Sequence, residues 1–189
     1  MQRAMKLVLS LLATGTGACI GGLYIHRYYA PQELPALTID TTESDADDLR
    51  YKLHTGLSAS EKQHLLDGNC QVITSTDALP KPIKNAFATI TQNKPFDLAN
   101  PGTRFNATDV IEQDLPRRRL VLAGLCGNRW FVQYERGGIG LSVMVIVLNS
   151  ETNGDVHFVW GGQGIRPVAN LSNLRNAIAS GEFSDSDRF

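Results

Sequence analysis

The chain has 189 residues, 42% of them hydrophobic and 20% charged, with a formal net charge of -1. Arg3, Lys6 and Arg27 precede residue 31 and no acid does, so residues 31–189 hold 15 Lys/Arg against 19 Asp/Glu. That balance excludes general phosphate-backbone binding, which needs a basic stripe, and no nucleic-acid partner is expected.

Residues 1–6 are basic, residues 7–25 are apolar and uncharged, and His26-Arg27-Tyr28-Tyr29 follow. A bilayer core is crossed by roughly 20 apolar helical residues. Residues 7–25 therefore predict one transmembrane signal anchor. Tyr24, Tyr28 and Tyr29 suit headgroup depth, and the cations ahead of the span put residues 1–6 in the cytoplasm and the rest outside. The expected place is a bacterial inner membrane, crossed once, with the soluble domain in the periplasm or extracellular. Two other fates lead to the same compartment. One is cleavage near Ala18, after Thr16-Gly17-Ala18. The other is lipidation at Cys19, although Thr16 stands where a branched aliphatic is usual. Gly17 and Gly21 form a GxxxG face on which two spans could pack as a homodimer.

Residues 26–48, with Pro31, Pro35 and a run of acids, read as an extended acidic tether. Residues 49–183 are expected to fold as a single α+β extracytoplasmic domain. Leu49, Leu53 and Leu57 suggest a first helix. Ser58-Ala59-Ser60-Glu61 is a capping box that starts a short one ending at Gly68. Residues 70–74 look like a brief strand. Residues 81–91 are the clearest helix: Pro82 suits a first turn, and Ile83, Ala86, Phe87 and Ile90 make one apolar stripe.

Residues 103–116 read as irregular. A meander then begins. Strands at 118–126 and 129–136 flank a Gly127-Asn128 turn, a strong hairpin signal. Residues 141–148 are apolar at both parities and predict a central strand covered on both sides. Asn153-Gly154 turns into a strand at 156–160. Leu171, Leu174 and Ile178 mark a last helix, and residues 184–189 read as a flexible tail. The class is α+β: a four- to five-stranded antiparallel meander packed by helices.

Cys70 and Cys126 are the two cysteines outside the apolar segment, and in an oxidising compartment this exclusive pair is expected to form a disulfide, the alternative being two buried free thiols. Asn106-Ala-Thr108 and Asn170-Leu-Ser172 are sequons, relevant only on a eukaryotic secretory route.

If the strands pair in chain order, one end of the sheet collects Arg117, Arg118, Arg119, Glu135, Arg136, Trp160, Gln163 and Arg166. It also collects two glycine runs, Gly137-Gly138-Ile139-Gly140 and Gly161-Gly162-Gln163-Gly164. Glycine loops let a ligand approach the backbone, and arginines recognise carboxylate or phosphate. This end is the expected ligand or partner site, with Arg117, Arg119, Glu135, Arg136, Gln163 and Arg166 as its binding residues.

The chain has no HExxH, CxxC, GxSxG or P-loop pattern, and His26, His54, His64 and His157 have no metal-ligand spacing. Glu135 and His157 could serve as base and acid only if the strand order departs from a simple meander. No metal, cofactor or catalytic residue is assigned. The expected function is a membrane-tethered interaction module for a protein partner or envelope component, an inhibitor, immunity protein or complex subunit. The alternatives are a domain binding a small anionic ligand at the arginine–glycine edge, and a secreted-type hydrolase.

Overall fold

The computed structural model of the protein describes residues 56–92 and 95–189. The expected anchor, its Gly17/Gly21 face, Cys19 and the tether lie outside the described residues, as does the helix suggested by Leu49 and Leu53. Among the described residues no helix is long and apolar enough to cross a membrane.

Six strands form one antiparallel sheet in chain order: β1 (Cys70–Ile73), β2 (Arg118–Cys126), β3 (Arg129–Arg136), β4 (Ser142–Ser150), β5 (Val156–Gly164) and β6 (Ser184–Asp185). The class is α+β as expected, but the sheet has six strands rather than four or five. Among the described residues three α-helices accompany it: α1 (Ala59–Gln63), α2 (Lys81–Ile90) and α3 (Leu171–Ala179).

Helix α1 starts at the expected capping box, with the Ser58 amide donating to Glu61 Oε2 at 2.8 Å and the Glu61 amide to Ser58 Oγ at 3.3 Å. The carbonyls of its C-cap and of the turn that follows are met by arginines. Arg129 Nη1 donates to the carbonyls of His64 and Leu65, and Arg175 Nε to that of Leu66. These side chains supply partners to backbone carbonyls that no helix or strand engages there.

Apolar side chains cover both faces of the sheet. On one face Tyr134, Met144, Ile146 and Leu148 pack with Ile83 and Phe87 of α2. On the other, Phe131, Val143, Val145 and Val147 pack with Leu65, Leu66 and with Leu174 and Ile178 of α3. Strand β4 therefore lacks the usual polar alternation, because neither parity faces water. Trp130, Val132 and Tyr134 all belong to the first core.

Cys70 and Cys126 are register partners of β1 and β2, and their sulfurs lie at disulfide-bonding distance.

The segment expected as a flexible tail is part of the fold. Residues 184 and 185 form β6 against β5, and Phe183 and Phe189 on either side are buried. Asp185 Oδ1 accepts from Trp160 Nε1 at 2.7 Å and pairs with Lys62 Nζ at 2.6 Å. Burial alone would raise the Asp185 carboxyl, but the hydrogen bonds from Lys62 and Trp160 outweigh it and hold the group below its ordinary value. A depressed carboxylate stabilises the fold above its unfolded-state pKa, and that stabilisation is lost as pH falls toward the folded value. D185N should therefore be less stable than the native chain at neutral pH, with the gap closing below about pH 4. Urea midpoints across that range measure it, and a gap independent of pH would refute the assignment.

Candidate functional site

The register brings the expected arginine end together. Arg118 pairs with Arg136, Arg119 with Glu135, Arg136 with Ser142, and Val143 with Gly164. Three of the five arginines there are consumed internally. Arg118 is buried, and its Nη2 donates to the carbonyls of Thr91 and Phe189, each at 3.1 Å. Burial lowers its pKa, and burial likewise pushes the neighbouring Tyr134 phenol well up, so that the phenol stays neutral.

Arg119 reaches Glu135 Oε2 through Nε at 2.7 Å and Nη2 at 2.6 Å. It also donates from Nη1 to the Thr103 carbonyl and lies 4.5 Å from the Phe105 ring centroid. Its guanidinium thus ties the 103–105 segment to the sheet. Arg136 Nη1 donates to the Arg188 carbonyl at 2.9 Å. Arg119, Glu135 and Arg136, expected as ligand-binding residues, are engaged in holding neighbouring segments of the fold.

Arg117 and Arg166 differ. Both are exposed, and neither side chain has an ion pair or hydrogen bond with a described residue. Arg117 lines a small cavity of about 200 Å³ with Ile111, Gly137 and Ile139, and Arg166 lines an open cleft of about 850 Å³ beside α3. Gln163 is exposed on β5, where its carbonyl accepts from Ser184 Oγ at 3.2 Å.

The two glycine runs have different structures. Gly137–Gly140 is the β3–β4 loop, and any side chain at Gly137 would strike the backbone of Asn106 and Ala107. Gly161–Gly164, expected as a second loop, is strand β5 itself. Side chains there would meet Phe189 at Gly161, Trp160 at Gly162 and Phe183 at Gly164. These glycines admit aromatic rings against the strand and form no cradle for an anion. Trp160, expected at the same edge, is buried in the second core.

The segment at 103–116 has no helix or strand but is held by buried Asn106. Its Nδ2 donates to the carbonyls of Glu112 and Leu115, and its Oδ1 accepts the Glu112 amide. With both amide atoms engaged, Asn106 is not an accessible sequon in the folded domain. Asn170 caps α3, accepting the Asn173 amide at 2.9 Å.

Apolar residues gather at the same end, which the sequence reading did not anticipate. Ile139 is 102% exposed and Ile165 90%, and Val110, Ile111 and Leu141 are also exposed. Ile111 and Ile139 line one cavity, while Leu141 and Ile165 extend neighbouring strands. Of the six large hydrophobic residues exposed among those described, only Val72 lies away from this end. Scattered surface hydrophobics are ordinary, whereas here five of the six stand at one end of the sheet.

Glu135 and His157 do not meet. Glu135 pairs with Val143 and His157 with Asn149, six residues along β4 and so about 20 Å apart. His157 lies instead in the β4–β5 hairpin, with Nε2 3.3 Å from Glu151 Oε1. Glu151, Asp155 and His157 place one ligand-type atom each within 4.8 Å of one another, on an exposed turn where Asp155 also accepts from Asn153 Nδ2.

The chain matches no protein-family model, no curated protein and no solved structure. The functional argument therefore rests on this end of the sheet.

Proposed function

We propose that this is a membrane-tethered extracytoplasmic interaction module, and that it docks a protein partner through the sheet end bearing Ile111, Ile139, Leu141 and Ile165. The observation that carries this is the exposure of two isoleucines at the loop tips beside the uncommitted guanidiniums of Arg117 and Arg166. Interface cores favour apolar anchors and arginine over lysine and acids. The sheet behind the tips supports the proposal, because it fixes where the two loops emerge and confines the ordering cost to the loop residues themselves. The apolar segment at 7–25 and the Cys70–Cys126 pair both support a location outside the cytoplasm.

The test is photo-crosslinking in the native membrane with the full chain. A crosslinkable amino acid at Ile139 or Ile165 is expected to capture one and the same polypeptide. The same label at Asn153 or His157, at the far end of the sheet, is expected to capture none. Capture of the same polypeptide from all four positions, or capture of nothing from the first two, would overturn the proposal.

A further inference from the structure

The cleft beside α3 has features that the tip surface lacks. One wall is the segment from Gly164 to Ala169, and the other is α3 with Glu182 just beyond it. The first wall is fixed from beneath. Gln133 of β3 is wholly buried against the Val168 peptide unit, and its neighbours fix the orientation of its carboxamide: nitrogen toward the Val168 carbonyl, to which it donates at 2.9 Å, and oxygen toward the Val168 amide, from which it accepts at 2.7 Å. A buried amide spending both its atoms on one backbone unit holds that unit in place. The cleft is therefore built before any ligand arrives.

Its lining is specific in kind. Ile165, Val168 and Ala177 supply apolar surface. Asn173 and Asn176, one helical turn apart on α3, are exposed toward it and make no side-chain hydrogen bond with a described residue. Each carboxamide offers a donor and an acceptor, the complement of a peptide unit's carbonyl and amide. Arg166 and Glu182 put one cation and one anion on the same cleft. That pairing disfavours a phosphate or other purely anionic ligand, which Glu182 would repel. A sugar ring is disfavoured too, because Phe183 is the one aromatic residue in the lining and is only 1% exposed. The cleft is open rather than enclosed, which suits a chain that enters and leaves.

We infer that this cleft binds an extended peptide segment carrying one acidic and one basic side chain. Arg166 would take the acid, Glu182 the base, and Asn173 and Asn176 the peptide backbone. The inference deepens the proposed function by naming how a partner is recognised. It can fail alone, because crosslinking from Ile139 does not depend on the cleft.

The test uses the full chain in nanodiscs, panned against displayed random heptapeptides, with the selected consensus synthesised and labelled. Fluorescence anisotropy is then read with the native chain and with the charge-exchanged R166E/E182R variant, whose thermal unfolding is checked for native cooperativity. Exchange is expected to weaken the consensus peptide about tenfold, and a peptide with its acid and base interchanged should recover most of that loss. N173A/N176A is expected to weaken both peptides alike. The inference is overturned if panning gives no consensus with both charges. It is overturned equally if the exchanged variant keeps full affinity for the original peptide, or if an N-acetylglucosamine tetramer binds and competes with the peptide at this site.

Discussion

Replacing both Cys70 and Cys126 by alanine is expected to cost the domain about 4 kcal/mol and lower its melting temperature by about 15 °C. The bridge spans 56 residues of sequence, and constraining a loop of that length restricts the unfolded chain considerably. Geometry adds a second reason. Strand β1 is four residues long and pairs within the sheet only with β2. The segment just before it is held by side chains reaching from elsewhere: Arg129 to the carbonyls of His64 and Leu65, and Arg175 to those of Leu66 and Gly68 and to Cys70 Sγ. Without the bridge those arginine contacts, one short ladder, the burial of Leu65, Leu66 and Ile73 and the Lys62–Asp185 pair would be left to keep β1 and α1 on the sheet. Protein prepared under reducing conditions should show the same loss as the double variant. Equal melting temperatures with and without reductant would mean the bridge contributes nothing to the folded state.

The meander was legible because its signals are local. Gly127-Asn128 and Asn153-Gly154 sit at turns in which Gly127 and Gly154 adopt φ of 62° and 95°, and period-two patterns run between them. Pairing in chain order then gathers the arginine end with no further information. The fates of the individual arginines were not legible, and β2 explains why. Counted from the hairpin turn, an unbroken ladder would set Glu135 opposite Leu120. A bulge at Val121 shifts the register by one, so that Arg119 faces Glu135 and Arg118 turns into the core beside Leu120. One inserted residue decides which cation is buried, which is paired and which, Arg117, is left outside. The glycines of β5 failed as a loop signal for another reason. What makes them necessary is the aromatic side chains of Trp160, Phe183 and Phe189, the last two lying 19 residues beyond Gly164 and 28 beyond Gly161, and no local pattern contains that. The cleft likewise depends on Gln133 and Val168, which meet only once the sheet has formed.

The second large effect concerns Phe189, in a segment whose polar composition concealed it. Its ring is buried in the first core, tilted against Phe158 at 5.7 Å between centroids, and seated where Gly161 has no side chain. Around it the Ser186 amide donates to the Gly161 carbonyl at 3.0 Å, and Arg118 donates to the Phe189 carbonyl. F189A should destabilise the domain by about 3 kcal/mol, the usual range for emptying an aromatic site in a core. G161A should also destabilise it, because the new methyl group would occupy the position of the ring. The double variant decides whether the two residues truly share one space. With the ring gone the methyl group's nearest neighbour is the Ser186 carbonyl oxygen, at 3.1 Å, and it fills part of the cavity, so F189A/G161A should lose less than the sum of the single losses, by about 1 kcal/mol. Urea unfolding of the four proteins closes this cycle. Strict additivity would show that Phe189 does not rest on Gly161. A coupled result would make residues 183–189 an integral edge of the sheet, completing the core on one face and giving Arg118 a second acceptor in the interior beside the Thr91 carbonyl.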